Sequence, residues 1–567
     1  MVMTRSYRAI PYLSAAIFGV ACSSQVTGSH TPGKATPPSP TQVGTTPVPT
    51  TMGTVTLPPA GALGPLALRR LNTVEYENTV QDVLKVAAGT TSTFRDDDPG
   101  LGYKNMAVAL TVTPLLAEQY AATANKLATA LDLNQFAPCA NAAAEATCAE
   151  TFISKFGRDV FRRPVTTEEM TGYSAIFADK RTRSDYAGGV RLVAETMLQS
   201  PHFLYKTEIG DGSGVDRELT QYELASQISY LATGAPPDPE LATAADGGKL
   251  RSTTEREAQL RRLLGSDRSK SWLTSFVTQW LGIADAGYFA KDKAVFPSYT
   301  PTLSVAVAEE SQRFVGSILT QSNASLEALF TANWTISNGE LGAHYALQQA
   351  PADWQQVTLP AEQRLGILTQ SAFLVANSKA ADSFPIRRGK TIRTRLLCGD
   401  VPPPPPNLEV VPVALDPTLT TRERFLAHEK SGSVCAGCHS LMDPLGFAFE
   451  NYDATGAYRT IENKKPVDAS GAINAISPEI DGPFANALEL SRRIAPSKVL
   501  KDCVARESMR WAIGRETMAE PATDPKVLRD QAIIGALSAR LATTNSDIRE
   551  LFLALVQRDE FAFRSDQ

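Results

Sequence analysis

The chain lacks the patterns that mark hydrolases. No HExxH, no Ser/His/Asp set and no paired-carboxylate arrangement rises above background, so hydrolysis has no support. A basic stripe is also missing, and the net charge of −5 argues against a nucleic-acid partner. Beyond the N-terminus no apolar run is long enough for a transmembrane helix, which restricts any membrane attachment to a lipid. Apolar/polar alternation is rare, so little strand is expected. Cysteine and histidine are scarce, with seven and five copies in 567 residues.

Against that scarcity, VCAGCHSLMDPLGF at 434–447 gathers Cys435, Cys438 and His439 into a CxxCH spacing expected by chance roughly 0.0008 times in a chain of this composition. Three chemistries use such a cluster: a covalent haem, a zinc site or a redox disulfide.

The N-terminus narrows the choice. MVMTRSYR carries two arginines and is followed by the apolar run AIPYLSAAIFGV, then Ala21 and Cys22. That is the layout of a secretory signal, and the small residues before Cys22 resemble a lipoprotein signal with Cys22 as the lipidated first residue, although Gly19 stands where that motif usually has Leu. The alternative is a plain cleaved signal with Cys22 a bystander. Either way the protein is expected outside the cytoplasm, in the cell envelope. The next stretch, to Pro65, is rich in Pro, Thr, Ser and Gly and cannot bury a core, so it reads as a disordered tether reaching on the order of 100 Å. His30 lies within it and is expected to be solvated.

From residue 66 the apolar residues recur at spacings of three and four, the mark of amphipathic helices. Asn72 with Glu75 and Thr166 with Glu169 read as capping boxes, and Leu71, Val74, Val80 and Leu84 are expected on one buried face. The predicted fold class is mainly α, a multidomain helical body with a c-type haem segment and one small β-hairpin in KPVDASGAINAISPEIDG near the C-terminus. MLQSPHFLYK at 197–206 and LVQRDEFAFR at 555–564 echo one another, each placed to close a helical segment by burying two aromatics. His202 in the first copy faces Glu560 in the second, which favours a structural role, and His344 has no metal-type neighbour. FRDDDPGLGYKN lacks EF-hand spacing and is expected to be a solvated turn or a helix-start cluster. VPPPPPNLEVVPV from 401 reads as a polyproline spacer or strap.

These signals divide the chain into a signal at 1–22, a linker at 23–65, helical domains at 66–135, 136–210 and 211–345, a domain with the proline strap and CxxCH at 346–462, and a hairpin plus helices at 463–567. Apart from Cys22 and the CxxCH pair, four cysteines remain in an oxidising compartment. Spacing suggests Cys139–Cys148, and elimination then pairs Cys398 with Cys503; the alternative leaves the latter two as buried free thiols.

In an exported chain, CxxCH is the attachment signal for haem c, with Cys435 and Cys438 on the vinyl groups and His439 as the proximal iron ligand. The zinc alternative uses His428, Cys435, Cys438 and His439, but adjacent Cys438 and His439 suit one small ion poorly. His428, Met509 or Met518 can be placed on the distal side, whereas Met442, three residues after His439, is expected to pack, with Asp443 and Pro444 ending the turn.

A run of segments carries a family resemblance: RRLNTVEYENTVQDVL, FGRDVFRRPVTTEE, MLQSPHFLYKTE, YELASQISYLATGAPPDPEL, QWLGI, LLCGDVPPPPPN, CAGCHSLMDPLGFAFENYDATGAYR and CVARESMRWAIGR. The chain resembles exported planctomycete and myxobacterial proteins built from consecutive domains of unknown function, with a cytochrome c-type motif in the penultimate domain. The resemblance implies haem attachment at Cys435, Cys438 and His439, a turn shaped by Met442, Asp443, Pro444, Gly446 and Phe447, and a distal or supporting role for His428. The expected function is electron transfer to or from an envelope redox partner or a small oxidant. The alternatives are a haem peroxidase or oxygenase, and a surface scaffold lipoprotein with a structural haem or zinc.

Overall fold

In a computed structural model, residues 68–211, 216–403, 413–426, 436–517 and 524–565 are described. Arg69–Arg70 form a two-residue strand that leads directly into the helix Thr73–Leu84. Asn72 caps that helix, its side chain accepting from the Glu75 amide while the Glu75 carboxylate accepts from the Asn72 amide. Such a cap is worth about 1 kcal/mol. Leu71, Val80 and Leu84 are buried as their spacing predicts, joined by Tyr76 and Val83. Val74 is not: it is 53% exposed, because the buried stripe is centred on 76, 80 and 83 and position 74 falls outside it.

The same construction recurs later. Asp216–Glu218 form a strand, Thr220 and Glu223 make a second capping box, and the helix Gln221–Thr233 follows. The two openings share the pattern Arg-x-Leu-Asn/Thr-x-x-Glu, and each is closed by one of the echoed segments. Arg69–Arg70 pair antiparallel with Tyr205–Lys206, and Asp216–Glu218 pair with Phe563–Ser565. The Leu71 amide donates to the Leu204 carbonyl and the Leu219 amide to the Ala562 carbonyl, both at 2.8 Å. The basic residue ending each echo is buried beside an acid: Lys206 pairs with the capping Glu75, and Arg564 pairs with Glu208 at 3.0 Å. In each echo one aromatic, Phe203 or Phe561, is fully enclosed and the other, Tyr205 or Phe563, is half-buried.

Each opening and closing pair encloses its own hydrophobic core. The first is built from residues between Leu71 and Phe203 and borrows Tyr230 from the second body; the Tyr230 hydroxyl lies 2.7 Å from that of Thr79. The second core runs from Leu219 to Ala562 and takes in Tyr103 and Met106 in return. The remaining long helices include Glu145–Phe161, Thr167–Thr182, Thr253–Leu264, Asp267–Trp280, Pro301–Thr320 and Lys498–Ile513. Thr166 and Glu169 form the capping box expected for the second of these.

Helices dominate, and the fold is mainly α. Strand is more widespread than the single expected hairpin, since five two-stranded antiparallel sheets occur among the described residues. Gly471–Ile473 pairing with Gly482–Phe484 lies in the region expected, next to Ile461–Glu462 with Lys465–Pro466. Trp334–Ser337 with Gln355–Thr358 and the two closing pairs above were not expected. Their strands are only two to four residues long, too short to show a period of two. No helix is long and apolar enough to cross a membrane among the described residues.

Candidate functional site

The helix Ala436–Phe447 carries the second half of the CxxCH segment. It lies against the helix Pro385–Thr391 at backbone contact distance, and glycine makes that approach possible from both sides. A Cβ on Gly389 would stand 1.8 Å from the Met442 carbonyl oxygen, and one on Gly446 would stand 1.9 Å from the Pro385 carbonyl oxygen. Contrary to expectation, Asp443 and Pro444 do not end the turn. The helix continues through Pro444, whose missing N–H leaves the Ser440 carbonyl without its helical donor. The Asn474 side-chain amide, arriving from the neighbouring hairpin, donates to that carbonyl at 3.1 Å in place of the missing helical donor.

His439 and Asp443 are one helical turn apart and therefore share a face. The Asp443 side chain is fully buried, and its two carboxylate oxygens lie 3.0 and 3.1 Å from His439 Nδ1. A carboxylate only accepts, so Nδ1 is the ring nitrogen that donates to Asp443. The imidazole keeps 18% of its surface exposed, so it bridges a closed interior and an accessible edge. Cys438 is half-buried and not part of a disulfide, with Sγ 3.6 Å from the carbonyl oxygen of Pro402, where the proline run begins.

Behind the helix the chain is clamped by buried charge. Arg388, on the partner helix and fully enclosed, donates to the carbonyls of Phe449 at 2.9 Å, Tyr452 at 3.0 Å and Asp453 at 2.9 Å. Glu450 accepts from Ser383 Oγ at 2.8 Å and from Arg459 at 3.0 Å. Burial pushes its carboxyl above the ordinary range even though Arg388 and Arg459 pull the other way. Asp453 then closes the following turn by accepting from Thr455 and Ala457 amides. The CxxCH helix is thus held by its backbone and by the turn after it.

Four family models match the chain in succession. PSD3 (DUF1587) matches residues 69–132, PSD5 (DUF1595) 148–208, PSD4 (DUF1592) 219–347 and PSCyt3 (DUF1588) 364–462, each described as a protein of unknown function. The chain belongs to the multidomain family assembled from these domains. No curated protein and no solved structure matches it. The PSD3 and PSD5 stretches together make the first core, and the PSD4 stretch opens the second. The helix pair Pro385–Thr391 and Ala436–Phe447 lies inside the PSCyt3 stretch, a family whose name is of cytochrome type.

Of the PSCyt3 residues singled out from sequence, Cys438, His439, Met442 and Asp443 fall on this one helix, with Met442 buried. Cys435 and His428 lie outside the described residues, as do Cys22, His30 and Met518. Met509 is fully enclosed in the second core. The structure joins Cys398 to Cys503 and Cys139 to Cys148. Cys398 follows the π-helical turn Ile392–Leu396, which continues the helix Pro385–Thr391, so the disulfide ties the site's supporting segment to the C-terminal helix Lys498–Ile513.

The remaining histidines have structural surroundings. His202 packs edge-on to Phe161 and lies 3.4 Å from Glu169. His344 Nε2 meets the Thr455 carbonyl at 3.0 Å, and burial holds its pKa below the usual value. In the three-aspartate loop, Asp97 is buried against Arg70 at 2.7 Å and accepts from the Thr73 amide at 2.6 Å, at the start of the first helix, while Asp96 pairs with Lys104. No group of three or more potential metal ligands occurs among the described residues. Sequence reasoning assigned Asp443 to shaping a turn and missed its contact with His439; the spacing of four was the available signal. Asn474 and Arg388 carried no local signal, because their partners are 34 and 61 to 65 residues away.

Proposed function

We propose that this chain is an exported, lipid-tethered c-type haem protein that transfers electrons to or from an envelope partner or a small oxidant. The observation that carries the reading is His439: in a CxxCH segment, its Nδ1 is engaged by the buried Asp443, the arrangement in which Nε2 takes the part of iron ligand. Cys438 supplies a thiol on the same helix, and by sequence Cys435 supplies the second. The donor chemistry therefore fits a c-type haem. Bound there, a haem supplies a one-electron iron couple. The chain's own part is to hold the imidazole in one tautomer, fix the helix against Gly389 and place the thiol beside the start of the proline strap. Two disulfides and the lipoprotein-type N-terminus support an oxidising compartment and attachment through Cys22.

The test is a pyridine haemochrome assay and a reduced-minus-oxidised spectrum of the full chain produced with haem-c maturation, alongside the Cys435→Ala/Cys438→Ala variant. The expected result is one covalent haem per chain, lost in the variant. No covalent haem in the parent sinks the reading, and stoichiometric zinc in its place establishes the zinc alternative. A low-spin ferric spectrum assigns a carrier; a high-spin ferric signal that responds to peroxide assigns an enzyme.

A further inference from the structure

We propose that Asp443 is a positioning residue for the iron ligand: its buried carboxylate orients His439 and enriches the imidazole in electron density, holding the site towards the ferric state. The inference rests on the haem reading above and adds the sense in which this chain tunes that group.

Asp443 is fully buried, and among the described residues the side chain that hydrogen bonds it is His439. Burying a carboxylate costs several kcal/mol unless a partner compensates. Asparagine has nearly the same shape and would fill the position between the two glycine-packed helices without burying a charge, so packing alone does not account for an acid here. What the acid adds is an acceptor of full negative charge on Nδ1, with both oxygens within 3.1 Å. A carbonyl acceptor would fix the same tautomer with less charge. Hydrogen bonding of this kind raises ligand basicity, and a more basic ligand favours the more highly charged metal. The geometry is also well secured. The backbone of this helix turn touches Pro385–Thr391 through Gly389 and Gly446, and Asn474 pins the Ser440 carbonyl in the turn between the two residues. These contacts fix the backbone that carries both side chains.

The experiment compares matured holoprotein with its Asp443→Asn variant, which keeps the shape and removes the charge. With covalent haem and circular dichroism unchanged, the ferrous-to-ferric ratio at a fixed applied potential is expected to rise on the order of tenfold, a positive shift of about 59 mV for one electron. A haem-loaded variant with an unchanged or more negative potential overturns the proposal while leaving the haem reading intact. Absence of haem from the parent overturns both. Should Asp443→Asn fail to mature, the ferrous parent decides alone. Its iron–histidine stretch after CO photolysis is expected above that of a haem-bearing CxxCH peptide whose imidazole faces water, and a frequency at or below the peptide's overturns the proposal.

Discussion

Glu310 is fully buried, and its carboxyl oxygens accept from Tyr345 Oη at 2.6 Å and Thr335 Oγ1 at 2.8 Å. Burial pushes its pKa up to about 7, against the opposing pull of those two hydrogen bonds and of Arg364. The folded chain therefore holds this proton more tightly than the unfolded chain does. The resulting stability is fully present below about pH 4.5, the ordinary carboxyl value, and is lost as the pH rises through about 7. Glu310→Gln imitates the neutral acid and should remove the effect. Between pH 4 and pH 8 the parent is expected to lose on the order of 3 kcal/mol relative to the variant, read from urea midpoints at each pH. Parallel pH profiles would show that Glu310 does not titrate in this range. His439 and Asp443 belong to the same scale: their identities were plain in the sequence, but whether a carboxylate four residues on faces the imidazole depended on the helix continuing through Pro444.

At the scale of elements, the site depends on two helices meeting with no side chain between them. Gly446→Ala places a methyl group into the Pro385 carbonyl and must force the helices apart. Overpacking of this kind costs typically 1–3 kcal/mol, and a clash with backbone belongs at the upper end. A lowered thermal midpoint is expected and, on the haem reading proposed above, less covalent haem per chain. Gly172, inside the helix Thr167–Thr182 with nothing within 4 Å of its would-be Cβ, is the matched control, and Gly172→Ala should stabilise by about 0.5–1 kcal/mol. If both alanines behave alike, the close approach is not what the glycine serves. Capping boxes and amphipathic helices were legible at this scale because their signals span three or four residues. The short strands were not, because two residues carry no period and their partners lie far along the chain.

Over the whole molecule, the Cys398–Cys503 disulfide closes a loop of 105 residues that contains the entire CxxCH region. In the chain-entropy model such a loop is worth about 4–5 kcal/mol, against roughly 3 kcal/mol for the nine-residue separation of Cys139 and Cys148. Cys398→Ser/Cys503→Ser should therefore lower the urea midpoint more than Cys139→Ser/Cys148→Ser, and reductant should lower the parent's midpoint towards that of the variants. An equal effect of the two pairs would contradict the loop argument. The same long-range closure appears in the strand pairs: the chain's last strand returns to residues 216–218, so the PSCyt3 stretch is enclosed within a body whose two ends meet.

The sequence by itself determined the helical class, the capped helix starts and the CxxCH spacing, since each depends on residues a few positions apart. It also exposed the closing echo at 197–206 and 555–564 but not the matching openings at 69–75 and 217–223, whose likeness became evident when both were seen to pair with those echoes. Only the tertiary structure decided that the CxxCH helix survives its proline, that glycines let it touch Pro385–Thr391, and that the His439 imidazole faces a buried carboxylate. Those outcomes depend on Asn474 and Gly389, which meet the helix, and on Arg388, which holds the turn after it from 61 to 65 residues away. Local propensity carries no record of such contacts; they arise when separate elements pack and must satisfy one another's backbone.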